Sequence, residues 1–164
     1  MTNHQFDRRG LFGAGAIGII AAAVALTGRR SDAAVRYEVA RTPAEWRRRL
    51  GPERYRVLRD AGTERAFTSP LNKEHRRGTF ACAGCALPLF ASATKFDSGT
   101  GWPSFYAALP NAVRTTRDSL FGMERVEEHC RRCGGHLGHV FDDGPRPTGK
   151  RHCINGLALT FKPA

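Results

Sequence analysis

The sequence holds 164 residues, enough for one ordinary domain and too few for two cores. A hydrophobic content of 41% excludes a wholly disordered chain, while 18 glycines and 9 prolines argue for turns and short elements rather than a helical bundle. Lys and Arg number 26 against 15 Asp and Glu, a net charge of +11, and the five cysteines, being odd in number, cannot all pair within one chain.

Near the start, Asp7-Arg8-Arg9-Gly10 precedes an uncharged run of Gly, Ala, Ile, Val, Leu and Phe over residues 11–26. A charged stretch ahead of a short apolar one has the form of an export signal. The adjacent arginines resemble the twin-arginine type, with Asp7 where such signals often carry Ser or Thr. Ser31 and Ala33 supply small residues for cleavage after Ala33. A membrane anchor needs about 20 strongly apolar residues, and this run is shorter and rich in Gly and Ala. The expected organisation is a signal over 1–33, a linker over 34–41 and one domain over 42–164. The domain would be exported, periplasmic or otherwise outside the cytoplasm, and an uncleaved signal would tether it to the membrane. Without residues 1–33 the balance is 22 against 13, or +9, so the domain itself is basic.

Thr42-Pro43-Ala44-Glu45 reads as a capping box with proline at the first helical position, predicting a short helix to about Leu50. Pro52 can open a second helix, with Tyr55, Val57, Leu58 and Ala61 as apolar positions and Gly62 as its stop. Beyond Gly62 the pattern becomes strand-like over 79–82, 113–116, 121–129, 136–141 and 152–161, punctuated by Gly, Pro, Asp and Asn clusters. A small helical lead-in on an antiparallel β core follows.

Cys82-Ala83-Gly84-Cys85 and Cys130-Arg131-Arg132-Cys133 form two Cys-x-x-Cys knuckles. Two intervening residues let both sulfurs of a knuckle turn toward one point, and two knuckles supply the four thiolates of a tetrahedral Zn²⁺ site. Such a site is closed to substrate and joins distant segments, so its role is structural. On the residues alone, redox pairs, two disulfides or an iron–sulfur ligand set are the alternatives. A folded domain carried through the twin-arginine route could take up zinc before export.

Cys153 lies in Arg151-His152-Cys153-Ile154-Asn155 and has no spacing partner. A lone cysteine is commonly an inert core residue, but Arg151 and His152 beside it would lower its pKa toward a reactive thiolate. Asn155 and Arg151 share its side of an extended strand. His136 and His139 fall on opposite faces of a regular strand, and a bulge near Gly138 would bring both inward. An acid/base role suits at least one of them; metal ligation and a satisfied core pair are the alternatives. The turn Gly99-Thr100-Gly101-Trp102-Pro103-Ser104-Phe105 is either plain core or an aromatic wall for a small apolar group.

Together these segments resemble the B-type methionine sulfoxide reductases, which reduce the R epimer of methionine sulfoxide in proteins. The matching runs are Lys95-Phe96-Asp97-Ser98-Gly99, Gly101-Trp102-Pro103-Ser104-Phe105, His136-Leu137-Gly138-His139-Val140-Phe141 and Arg151-His152-Cys153-Ile154-Asn155, with both knuckles, across about 42–162. The resemblance implies a mainly β fold, with two antiparallel sheets in a rolled, barrel-like core, short N-terminal helices and one structural zinc per chain held by Cys82, Cys85, Cys130 and Cys133. It implies that Cys153 is the nucleophile, that His139 with His136 protonates the departing oxide oxygen, and that Asn155 assists. It places Trp102, Arg151 and Phe141 against the substrate. Cys153 then becomes a sulfenic acid. Many relatives carry a recycling cysteine where this chain has Thr100, and an aromatic where it has His152. The expected reductant is therefore an external thiol donor, thioredoxin-like or otherwise, acting on a monomer whose substrates are oxidised proteins.

The competing reading is a non-catalytic zinc-ribbon-like module that binds nucleic acid or protein, suggested by the charge and the knuckles. Export argues against nucleic acid as a partner. A zinc tetrathiolate also adds a net −2, leaving about +7 on the metal-loaded domain.

Overall fold

The computed structural model describes residues 36–119 and 124–164. The expected signal over 1–33 and the first residues of the expected strand 121–129 lie outside that range. No helix among the described residues is long and apolar enough to cross a membrane.

Thr42 caps the first element as its sequence requires. Its side chain accepts from the Glu45 backbone N–H, and the Glu45 carboxylate accepts in return from the Thr42 N–H at 2.8 Å. The two expected helices form one element, α1 (Pro43–Asp60), broken at Gly51, whose backbone leaves the helical region with φ 70° and ψ 173°. The helix stops one residue earlier than expected. Ala61, not Gly62, takes the left-handed conformation, with φ 51°. Trp46, Leu50, Tyr55, Val57 and Leu58 form the buried stripe.

Nine strands follow among the described residues: β1 (Gly78–Cys82), β2 (Pro88–Ala91), β3 (Lys95–Phe96), β4 (Ser104–Phe105), β5 (Val113–Asp118), β6 (Arg125–Cys130), β7 (His136–Phe141), β8 (Arg151–Ile154) and β9 (Leu159–Pro163). They build two open antiparallel sheets, ordered β2-β1-β9 and β3-β4-β8-β7-β6-β5. The mainly β expectation with two antiparallel sheets holds. One expected strand, 152–161, is two. A 3-10 turn over Gly156–Ala158 ends β8 in the larger sheet and starts β9 in the smaller one. The last segment of chain thus stitches the sheets together.

The core between them is aromatic. Phe80 of β1 and Phe90 of β2 meet Phe105 of β4, with ring centroids 5.0 and 4.4 Å apart, and Phe161 of β9 closes on Phe80 at 4.9 Å. Each such pair contributes about 0.5–1.5 kcal/mol beyond its buried area. This packing fixes one face of the larger sheet. The other face is left to carry polar side chains.

Candidate active site

The two knuckles are built alike. In the first, the Cys82 N–H donates to the Leu87 carbonyl and the Ala86 N–H to the Cys82 carbonyl, each at 2.8 Å. In the second, the Cys130 N–H donates to the Gly135 carbonyl and the Gly134 N–H to the Cys130 carbonyl, again at 2.8 Å. Ala86 and Gly134 occupy equivalent left-handed positions, with φ 59° and 67°. The four sulfurs lie within 4.8 Å of one another, with Cys82–Cys133 at 3.7 Å and Cys85–Cys130 at 3.5 Å. Metal–sulfur bonds of about 2.3 Å in a tetrahedron require sulfur–sulfur edges of about 3.8 Å, so the cluster fits a metal ion. Arg49, Arg59 and Arg132 donate to the carbonyls of Gly84, Cys133 and Cys85 at 2.9, 3.0 and 3.3 Å, bringing positive charge to a tetrathiolate. Cys82 ends β1 and Cys130 ends β6, so a bound ion would clasp one sheet to the other.

Cys153 sits apart from this cluster, mid-sheet. Its register partners are Ser104 on β4 and His139 on β7, which places all three on one face. The approach of β7 to β8 is close. A Cβ on Gly138 would stand 2.0 Å from the Cys153 carbonyl oxygen, so the position requires glycine. The turn before Trp102 brings Thr100 Oγ1 to 3.8 Å from the Cys153 sulfur. Ser98 Oγ links Thr100 Oγ1 at 2.8 Å to Ser104 Oγ at 2.7 Å, forming a ladder of hydroxyls beside the thiol.

Burial pushes the Cys153 thiol above its ordinary pKa, against the opposing pull of Thr100, Arg151 and Ser104. The expectation of a lowered pKa is therefore corrected: in this pocket desolvation outweighs the cationic neighbour. His152 does not help. Its side chain faces the opposite way, with Nδ1 donating to the Glu128 carboxylate at 2.8 Å and its ring against Phe90. Arg151 does face the thiol's side. Its guanidinium is clamped by Asp143 through two bonds of 2.8 and 2.9 Å and lies 4.4 Å over the Phe141 ring.

The histidines converge as a bulge would require. The β6–β7 register shifts between Glu128 and His129, so that His129 pairs with His136 and Glu127 with His139. The His136 and His139 rings are 5.7 Å apart. His136 is buried and bonds Glu127 through Nδ1, and burial, opposed by Glu127, lowers its pKa. His139 donates through Nε2 to Asp118 Oδ2 at 3.0 Å, and the same oxygen accepts from Arg125 at 2.7 Å.

Thr63, Trp102, Arg125, Gly138, His139, Phe141, Cys153 and Asn155 line one pocket of about 150 Å³. That volume suits one side chain and falls below the several hundred Å³ of cofactor sites. The Asn155 amide is already committed. Its Oδ1 accepts from the Glu64 N–H at 2.9 Å and its Nδ2 donates to the Leu137 carbonyl at 3.0 Å. Trp102 is held by its indole N–H on the Glu64 carbonyl at 3.2 Å, and the Glu64 carboxylate caps the Gly156 and Leu157 N–H groups. Glu64, Thr63, Asp118 and Arg125 escaped the sequence reading. Only the pairing of β5, β6 and β7 across the sheet brings Asp118 and Arg125 beside His139, and Thr63 and Glu64 come from the loop after α1. A larger cavity of about 680 Å³ lies beyond Glu64 and Gly156, but no thiol or imidazole lines it.

The family model described as the SelR domain matches residues 50–163. This chain belongs to the SelR family. Among curated SelR-type relatives, the peptide methionine sulfoxide reductase MsrB of Thiobacillus denitrificans is 57% identical over 124 residues, 75% of this chain and 94% of the relative. Proteins of the same name from Leptospira interrogans and Methanosarcina barkeri are 54% and 52% identical, covering 97% and 88% of those relatives and 77% and 76% of this chain. Both knuckles, the hydroxyl ladder and the Cys153 pocket fall within the SelR match.

Proposed function

We propose that this protein reduces the R epimer of methionine sulfoxide in proteins to methionine. The observation that carries this reading is Cys153, the one cysteine outside the four-sulfur cluster, standing opposite His139 in a side-chain-sized pocket walled by Trp102. The reductases named among the relatives support it. The thiolate of Cys153 attacks the sulfoxide sulfur while His139 protonates the oxide oxygen. The substrate sulfur gains two electrons, Cys153 loses two, and the oxygen passes to Cys153 as a sulfenic acid. Trp102 packs against the S-methyl group. Arg151 opposes the rise that burial imposes on the thiol pKa, and Asn155 fixes the pocket floor.

Thr100 stands 3.8 Å from the Cys153 sulfur, where a second thiol would resolve the sulfenic acid. Two equivalents of an external thiol, thioredoxin-like or small, complete the cycle, yielding a disulfide, water and the Cys153 thiol. Zinc suits the four thiolates and acts by joining the sheets. A nucleic-acid module has no use for this pocket. Replacing Cys153 by Ser tests the reading. R-sulfoxide reduction should vanish with folding and metal content intact, and full activity of the variant would sink the assignment. Activity confined to the S epimer would do the same.

Residues 1–33 are proposed as a twin-arginine signal and the domain as an exported monomer. Arg8-Arg9 and the uncharged run after them support the signal, as does a family match that begins only at residue 50. Mass spectrometry of the secreted protein should give an N-terminus at Ala34, and an intact cytoplasmic chain would refute it.

A further inference from the structure

Arg125 of β6 has an unusual place in the pocket wall. Its terminal nitrogen is anchored on Asp118 Oδ2 at 2.7 Å, a register partner on β5. Its Nε is buried and has no hydrogen-bond partner among the described residues. Buried donors are nearly always satisfied, so one left open beside a pocket calls for an acceptor that arrives with a ligand. The Asp118 oxygen that anchors Arg125 also anchors His139 Nε2, at 3.0 Å. Two side-chain donors are therefore hung from one oxygen atom, and both line the pocket that contains Cys153.

We propose that Arg125 is a second catalytic residue, donating a hydrogen bond to the sulfoxide oxygen beside His139, with Asp118 positioning both. This rests on the reductase reading above. The chemistry divides the work. A sulfoxide oxygen carries most of the negative charge of its polarised bond and accepts two hydrogen bonds. As the Cys153 thiolate bonds to the sulfur and the S–O bond breaks, charge grows on that oxygen. Arg125 stabilises it without giving up its own proton, since a guanidinium does not deprotonate in proteins. His139 supplies the one proton the step consumes. With Nε2 committed to Asp118, its Nδ1 is the nitrogen left to give it. Arg151 spends two of its donors on Asp143 and is not among the residues lining that pocket.

Free methionine-R-sulfoxide with dithiothreitol as reductant is the test, because it separates this step from the physiological donor. In Arg125→Met, kcat should fall roughly a hundred- to a thousandfold, the loss seen when one charge-stabilising donor is removed. KM, thermal unfolding and bound metal should stay near wild type. Guanidinium ion at millimolar concentration should restore part of kcat in this variant and none in Cys153→Ser, a response that a purely structural arginine would not give. Arg125→Lys keeps a charge for Asp118 but has no N–H at the Nε position, and should recover little. Undiminished kcat in Arg125→Met, a fully active lysine variant, or a loss without guanidinium rescue would overturn the assignment while leaving the reductase standing. An inactive wild-type protein would overturn both.

Discussion

Thr100→Val is nearly isosteric and removes only the hydroxyl that faces Cys153 at 3.8 Å. That hydrogen bond favours the thiolate, and it acts against burial, which holds the thiol pKa up. A hydrogen bond to a charged group contributes about 1.5–3 kcal/mol. The long sulfur contact argues for the lower end, as does Ser104, which also favours the thiolate and remains linked to Ser98. A loss of about 1.4 kcal/mol is one pKa unit. The thiol of the variant should therefore titrate about one unit higher than wild type, and its thiolate fraction on the acid side should fall about tenfold. The assay is the pH dependence of Cys153 alkylation by iodoacetamide, followed on the Cys153 peptide by mass spectrometry, with metal bound so that the four cluster thiolates are protected. The rising limb of kcat/KM should move to higher pH by the same amount. A midpoint that stays put or moves down would show that the hydroxyl ladder does not stabilise the thiolate.

Three further outcomes follow from the same geometry. Gly138→Ala forces a methyl group into the Cys153 carbonyl. It should lower stability by roughly 1–3 kcal/mol in urea titration and abolish most activity by spreading β7 from β8. Ala86→Gly relieves a left-handed alanine, a gain of roughly 1–2 kcal/mol partly offset by about 0.4–1 kcal/mol of added chain freedom when unfolded. Its urea midpoint should rise, whereas Gly134→Ala should lower it because the new methyl group meets Tyr37. Removing the metal with a chelator should expose four thiols to a colorimetric reagent and abolish cooperative unfolding, as ligand binding and folding are coupled at such sites.

Much of the site was legible before the fold. The two knuckles announce themselves by spacing, and Thr42, Pro43 and Glu45 are a helix start by local chemistry alone. Cys153 stood out because the other four cysteines were spoken for. The odd spacing of the two histidines itself calls for a bulge if both are to share a face, and the β6–β7 register has one. What stayed hidden depends on pairing across strands. β2, β3 and β4 are two to four residues long and carry no period to read. His152 reads as a neighbour of Cys153 in sequence but points away from it, since successive strand residues face opposite sides. Asp118 and Arg125 look like surface charges until the second knuckle is seen as the turn of the β6–β7 hairpin, which puts β6 and its partner β5 alongside His139.

The pairing of His139 with Cys153 has a consequence for how the chain is policed. Acid and nucleophile share a face only because their strands are aligned residue for residue. A slip of one residue would send one of them to the far side of the sheet. A misaligned molecule would thus be chemically silent rather than wrongly reactive, and turnover itself certifies that the strands have met in the right order.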